Sequence, residues 1–232
     1  MKNPEIKTQE KYHTEILKVW DKGKSLYELK EIYEREAFVQ DTLYKNTILF
    51  LGVGASYSEE KIKSCKSNGT DPIQYESEEG RKYQYYRKMI VLAKENGFCN
   101  WSNIDITLLR ETIQEKVKPL FVNIKFKEFM QAQFDLAVKM IIDIKPKVVV
   151  VSNAFVRDIL KGKIKNIKIN TSFSFNEDEE TIKKYGTQLI YSPERLKGIP
   201  IFFTSVLSGA GALDNGSFER LSWHIKYVLE KI

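Results

Sequence analysis

The sequence predicts an α/β protein whose helices cover both faces of a central, mainly parallel four-stranded sheet. Three observations favour this class. Uncharged apolar segments of strand length occur at 47–52 and 148–151, segments with helical periodicity alternate with them, and the predicted strands run into loops of small or polar residues. Because such alternation is typical of parallel sheets with right-handed crossovers, we expect a three-layer α/β/α sandwich.

The composition is that of an ordinary globular chain, and we expect a single domain over 1–232. Hydrophobic residues make up 42% and charged residues 29% of the sequence. The longest apolar runs are far too short for a membrane span and the N-terminus has no apolar signal core, which predicts a cytoplasmic protein without membrane contact. The net charge of +6 is compatible with a polyanionic partner.

Metal binding is not expected from the cysteines and histidines. Cys65 and Cys99 form no CxxC pair, and the chain has only 2 histidines. We therefore expect neither a metal site nor another cofactor.

Helical periodicity marks most of the remaining chain. Residues 1–45 form a helical segment that is expected to pack on the sheet, as two helices over 8–40 or as one that breaks at 21–24. Further helices are predicted at 81–96, ending at Gly97, and at 126–144, 154–160 and 217–231, the last with Ser217 or Asn215 as its N-cap.

Four main strands are predicted between these helices, at 47–52, 101–109, 147–153 and 200–204. A short strand is expected at Ile167–Ile169, and a hairpin is expected to precede Pro200. The acidic run at 176–180 is either a solvated loop or the start of a helix.

The loop after the first strand is the first candidate for a binding site, because ligands of open α/β sheets bind at the carboxyl ends of the strands. Gly52 and Gly54 either form a tight turn or allow a ligand to approach the backbone closely, and Ala55 and Ser56 are small. The segment lacks the third glycine and the later acidic residue of a dinucleotide-binding fingerprint.

Asp105 is a charged residue inside an otherwise apolar predicted strand. A carboxylate in such a place is costly unless it is paired or exposed at the end of the sheet. Asp105 is therefore either a functional group or a helix-capping partner, and the sequence leaves both open.

Loops follow the four predicted strands at 54–58, 105–111, 152–154 and 205–216, and their order resembles the uracil-DNA glycosylase-like superfamily over most of residues 47–231. ILFLGVGASY is similar to the first strand and water-activating loop of that superfamily. NIDITLLRET places Asp105 and Arg110 where the family has Asn and a following Arg. IIDIKPKVVVVSN resembles the family's third strand unit, and FFTSVLSG lies where the family has a His-Pro-Ser motif, with Val206 in place of the His.

The resemblance implies a protein that binds DNA or a nucleobase-containing small molecule at the carboxyl ends of the strands, with hydrolysis of an N-glycosidic bond as the family's activity. It assigns Asp105 and Ser208 to the reacting centre. Contacts to the nucleobase or nucleic acid are then expected from the small and polar residues of the same loops, which are Gly52, Gly54, Ala55, Ser56, Tyr57, Arg110, Ser152, Asn153, Ser205 and Gly209.

Two alternatives of other classes remain open at this point. One is a Rossmann-like enzyme that binds a small nucleotide cofactor at the GVGAS loop. The other is a scaffold whose basic, tyrosine-rich helix binds a protein partner through Arg87 and Lys88.

Overall fold

The structure, a computed structural model, describes residues 3–55, 70–71, 84–209 and 211–232. The strands are β1 Glu5–Lys7, β2 Val39–Gln40, β3 Thr42–Tyr44, β4 Ile48–Gly52, β5 Thr70–Asp71, β6 Trp101–Asp105, β7 Val148–Val151, β8 Ser174–Asn176, β9 Gln188–Ser192 and β10 Pro200–Phe203. The α-helices are α1 Thr8–Asp21, α2 Lys30–Tyr33, α3 Gln84–Glu95, α4 Gln114–Val122, α5 Lys127–Ile144, α6 Ala154–Leu160, α7 Glu179–Tyr185 and α8 Asn215–Leu229.

Within the described part of the chain, the central sheet has six strands in the order β6-β4-β7-β10-β9-β8. The first four of this order are mutually parallel, whereas β9 and β8 continue the sheet in antiparallel fashion. The α/β class is confirmed, and the expected number of four strands is wrong. Sequence patterning misses β8 because this strand has only three residues and no apolar run.

The two faces of the sheet bury different side chains, as the period-2 alternation of a strand requires. Leu49 and Leu51 of β4 join a core that includes residues of α1, α4, α5 and α6. Ile48 and Phe50 join a second core that includes residues of α3 and α8. Helices therefore pack on both faces, and β4 is buried over its whole length.

Several predicted elements are confirmed, with differences at their ends. Helix α5 ends at Ile144, where Lys145 takes a left-handed conformation before Pro146. The predicted helical segment over 1–45 is helical only in part, since it contains α1 and the short α2 but also β1, β2 and β3. The acidic run at 176–180 leads into α7 with Asp178 as its N-cap. The hairpin before Pro200 is formed by β9 and β10.

Three predicted details are wrong. No strand forms at Ile167–Ile169, and the strand of this region is β8. Strand β6 ends at Asp105 instead of Leu109, because the chain leaves the regular ladder there. The N-cap of α8 is Asp214, whose side chain accepts a hydrogen bond from the Ser217 N–H, instead of Ser217 or Asn215.

The N-terminal segment packs mainly on α5 and on the edge strand of the sheet. Helix α1 contacts α5, and the Tyr12 hydroxyl donates to the Asp143 carboxylate at 2.7 Å. Strand β3 pairs with β1 and lies beside β6. Among the described helices, none combines the length and the apolar character that a membrane crossing needs.

Candidate site at the strand ends

The carboxyl ends of β6, β4, β7 and β10 lie at one edge of the sheet because these strands are parallel. The chain moves from β4 to β6 on one side and then returns past β4 to β7, so the strand order reverses between β4 and β7. Ligand crevices of open α/β sheets form at such a point. Gly54 and Ser208 follow strands that are two positions apart, which corresponds to about 10 Å across the sheet.

Gly52 and Asp105 are neighbours at this edge, as the last paired residues of β4 and β6. An ideal Cβ on Gly52 would lie 2.2 Å from the Asp105 Oδ1 atom. No side chain fits at position 52 unless the carboxyl group moves. The glycine therefore provides space for the Asp105 side chain.

The Asp105 carboxyl group is unusual in its surroundings. It is half-buried, and no described residue forms a hydrogen bond or ion pair with it. Burial raises the pKa of Asp105 from 3.8 to about 7, because the charged form is poorly solvated. Near neutral pH the group is thus present in both protonation states, so it can either donate or accept a proton.

Asn103 lies two residues before Asp105 on the same face of β6. Its side chain is 8% exposed, and its Oδ1 atom is buried without a hydrogen-bond partner among the described residues. Both residues border an internal cavity of about 20 Å³ beside β2 and α5, which is large enough for about one water molecule. Asn103 was not among the predicted site residues. The strand alternation that marks Asp105 as a charged exception also places Asn103 on the same face of β6.

The loop that contains Gly54 and Ala55 runs alongside the segment after β6. The Thr107 N–H donates to the Val53 carbonyl, the Ala55 N–H donates to the Leu109 carbonyl, and the Glu111 N–H donates to the Ala55 carbonyl. A Cβ on Gly54 would lie 2.9 Å from the Leu109 carbonyl oxygen. In the structure, both glycines are thus required by close approach of the chain to itself.

Arg110 lies in this parallel segment and is 4% exposed. Its guanidinium group lies over the Phe38 ring at 5.2 Å. Because the Arg110 side chain is buried, a phosphate contact by Arg110 would need this side chain to move.

An ion pair that the sequence did not reveal fixes the same segment. Arg35 donates to the Glu111 carboxylate at 2.8 Å and to the Arg110 carbonyl at 3.0 Å, and the Arg35 and Glu111 side chains are 7% and 4% exposed. Although burial opposes the ionisation of Glu111, hydrogen bonds from the Ile113 N–H and from Arg35 hold the pKa of Glu111 below its usual value. The pair anchors the chain before β2 to the loop after β6.

At the end of β7, one polar residue is buried and the next caps a helix. Ser152 is 2% exposed. Asn153 is the N-cap of α6, since its Oδ1 atom accepts hydrogen bonds from the N–H groups of Phe155 and Val156 at 2.9 and 3.1 Å.

The end of β10 is the more open part of the edge. Ser205 and Gly209 are exposed, and Ser208 is half-buried. Leu207, at 1% exposure, anchors the loop in the core beside α8. Gly209 has φ +87° and no atom within 4 Å of an ideal Cβ, so it serves the turn and leaves open space around it.

The remaining predicted site residues, Ser56 and Tyr57, lie outside the described residues. Within the described ranges, no group of three or more His, Cys, Asp or Glu side chains is arranged to hold a metal ion. The described edge thus brings together Gly52, Gly54, Asp105 and Asn103 on one side and Asn153, Ser205 and Ser208 on the other.

Comparisons with known proteins do not assign this chain to a family. No protein-family model matches the sequence, and no curated protein matches it either.

Proposed function

We propose that the chain is a uracil-DNA glycosylase-like α/β/α sandwich that binds nucleic acid or a nucleobase-containing ligand at the carboxyl ends of its parallel strands. The observation that carries this proposal is the carboxyl group of Asp105, which is half-buried, unpartnered among the described residues and placed at a strand end against Gly52. Groups with strongly perturbed pKa values at strand ends are candidates for function, because burying them lowers stability and no interaction within the fold offsets the loss.

The chemistry of base removal suits a group of this kind. Departure of a base leaves a positively charged, oxocarbenium-like sugar and an anionic base, so a catalyst needs a carboxylate or an oriented water near the sugar and donors near the base. Asp105 supplies the carboxylate. The hydroxyl groups of Ser205 and Ser208, two strand positions from β4, supply candidate donors.

The first experiment is base release from oligonucleotides that carry uracil, hypoxanthine or a mismatch, with the parent beside Asp105→Asn. We expect release by the parent that increases as the pH rises through about 7, where Asp105 ionises, and its loss in the variant. Asp135→Asn is the matched control, because Asp135 is exposed on α5. Release by parent and Asp105→Asn alike would remove Asp105 from the reaction, and release from no substrate would remove the hydrolytic activity.

Binding is tested separately from hydrolysis. We expect the parent to be retained on DNA at low salt and to dissociate steeply as salt rises, because counterions are released when phosphates are contacted. Lack of retention at low salt would contradict a nucleic-acid ligand and would leave the free nucleobase or nucleoside to be tested by thermal stabilisation.

The Rossmann-like alternative requires a phosphate cradle at the GVGAS loop, of which the structure describes residues 52–55. A phosphate cradle needs free backbone N–H groups at a helix start. The Ala55 N–H already donates to the Leu109 carbonyl, and residues 52–55 continue alongside 106–111 as extended chain.

A further inference from the structure

An open groove of about 410 Å³ lies between α7 and α8, and among the described residues none of the loops that follow the parallel strands contributes to its lining. Its principal side chains are aromatic or cationic, namely Lys183, Lys184, Tyr185, Arg220, Trp223 and Tyr227. Within the described ranges, its lining includes no carboxylate, and Glu179 and Glu180 lie one turn before Lys183 and Lys184 on α7. The groove combines flat apolar rings with positive charge.

The Trp223 ring of the groove is exposed and stacks on the half-buried Tyr227. Trp223 is 64% exposed, and its ring lies 5.4 Å from that of Tyr227 with an angle of 21° between the planes. Trp223 is the most exposed tryptophan, since Trp20 and Trp101 are 8% and 4% exposed. Burial of an exposed indole ring would be favourable by roughly 2 to 3 kcal/mol, so the outer face of Trp223 suits an apolar, planar partner.

The cations come from both helices. Lys183 and Lys184 lie on α7, Arg220 lies one turn before Trp223 on α8, and the Lys231 Nζ atom lies 4.4 Å from the Tyr227 ring centre. Lys183 also pairs with Glu179, one turn earlier on the same face of α7, at 2.5 Å, and both of these side chains are highly exposed. Exposed pairs of this kind are weak and can exchange for a phosphate.

The two helices hold the groove in shape through His224. The His224 Nε2–H donates to the Tyr185 carbonyl at 2.7 Å, and the ring packs edge-on against Phe202 of β10. Gly186 lies against this ring, since a Cβ there would be 2.8 Å from Nε2. The groove is therefore built on the sheet and not on a loose surface loop.

We propose that this groove binds single-stranded nucleic acid, with a base stacked on Trp223 and Tyr227 and the flanking phosphates held by Lys183, Lys184 and Arg220. Stacked rings beside cations are how proteins bind single strands without reading their sequence. A duplex does not present its base faces, so an unpaired strand fits the rings better. An acidic peptide would satisfy the cations but would leave the indole face uncovered.

The first test is the binding of a fluorescein-labelled thymidine 15-mer by anisotropy, together with quenching of tryptophan emission by the unlabelled oligomer. We expect quenching in the parent, because the exposed indole of Trp223 dominates contact with a stacked base. Trp223→Ala should weaken binding about ten-fold, and Trp223→Phe should restore most of it because a ring remains.

The second test measures salt dependence. Arg220→Ala should reduce the slope of log affinity against log salt by about 0.7, as expected when one phosphate contact to a single strand is lost. Lys226→Ala is the matched control, since Lys226 lies on the same helix but does not border the groove, and it should leave that slope unchanged.

Three results would overturn this assignment. They are equal affinity of the parent and Trp223→Ala, absence of quenching by the thymidine oligomer, and tighter binding of polyglutamate, which would indicate an acidic protein partner. The groove and the strand-end site have separate readouts, because Trp223→Ala is tested by oligomer binding and Asp105→Asn is tested by base release. Loss of base release with intact oligomer binding, or the reverse, would then be attributed to one site alone.

Discussion

The two halves of the strand-end edge differ in how they treat polar groups. On the β4 and β6 side, backbone hydrogen bonds join residues 52–55 to residues 106–111. The carboxyl group of Asp105 nevertheless lacks a partner among the described residues. On the β7 and β10 side, Asn153 and Asp214 both cap helices. Helix capping accounts for the presence of Asn153 and Asp214, whereas no structural role among the described residues accounts for Asp105. Asp105 is therefore the candidate functional group of this edge.

The largest effect is expected at the buried ion pair that anchors the β6 side. Glu111→Gln should lower the free energy of unfolding by about 3 to 5 kcal/mol, because Arg35 keeps its charge in a buried place and loses the buried carboxylate that pairs with it. Urea denaturation measures this change. Glu115→Gln, in an exposed pair with Lys118, is the control and should change stability by less than about 1 kcal/mol. Similar losses in both variants would show that the buried pair has no special role.

Asp105→Asn should stabilise the protein at pH 8 and have little effect at pH 4. The folded-state pKa is about 7 and the ordinary value 3.8, so between these pH values the folded chain keeps a proton that the unfolded chain has lost. The free energy of unfolding of the parent thus falls as pH rises through this window and levels off above it.

The expected gain of Asp105→Asn at pH 8 is about 2 to 3 kcal/mol, since the shift corresponds to roughly 4 kcal/mol and the new amide still lacks partners. Urea denaturation across the pH range measures the difference. A variant that is less stable than the parent at pH 8 would indicate that the ionised carboxylate is stabilised in the folded protein.

Gly52→Ala should cost about 2 kcal/mol, because the new methyl group meets the Asp105 carboxyl. Adding Asp105→Ala should recover much of this loss, which a double-mutant cycle quantifies. Gly54→Ala is the matched control: its methyl group would meet the backbone carbonyl of Leu109, so Asp105→Ala should not rescue it. Simple additivity of Gly52→Ala and Asp105→Ala would mean that the two positions do not compete for space.

On the other half of the edge, Asn153→Ala should lower stability by about 1 kcal/mol through loss of the α6 cap. Asn153→Ser should retain most of the stability, since serine also caps well. Thermal unfolding with circular dichroism provides the comparison. If neither substitution changes stability while ligand binding falls, Asn153 acts on the ligand instead of the helix.

The smallest effect on stability is expected for Ser208→Ala, within about 0.5 kcal/mol, because Ser208 is half-buried and carries no hydrogen bond that the described residues supply. If base release is found for the parent, this substitution should reduce its rate without changing unfolding. Ser205→Ala offers a matched comparison in the same loop. Unchanged rates of base release in both variants would show that the hydrogen-bond donors to the base do not come from the β10 loop.

Local sequence patterns determined which segments form helices and buried strands. The apolar runs of β4 and β7 and the stripe of α5 were predicted because their periodicity is a property of neighbouring residues. The alternation of these elements also predicted the parallel part of the sheet and the shared edge of its strand ends. Asp105 was conspicuous for the same reason, as a charge that interrupts an apolar strand.

Only the tertiary structure decided what surrounds each of these residues. Gly52 makes room for Asp105, the Arg110 guanidinium lies over the Phe38 ring, and Arg35 pairs with Glu111 across 76 positions of the chain. The groove of Trp223 depends likewise on α7 lying beside α8. Periodicity carries no information about such contacts, because they join residues that are distant in sequence and depend on how whole elements pack.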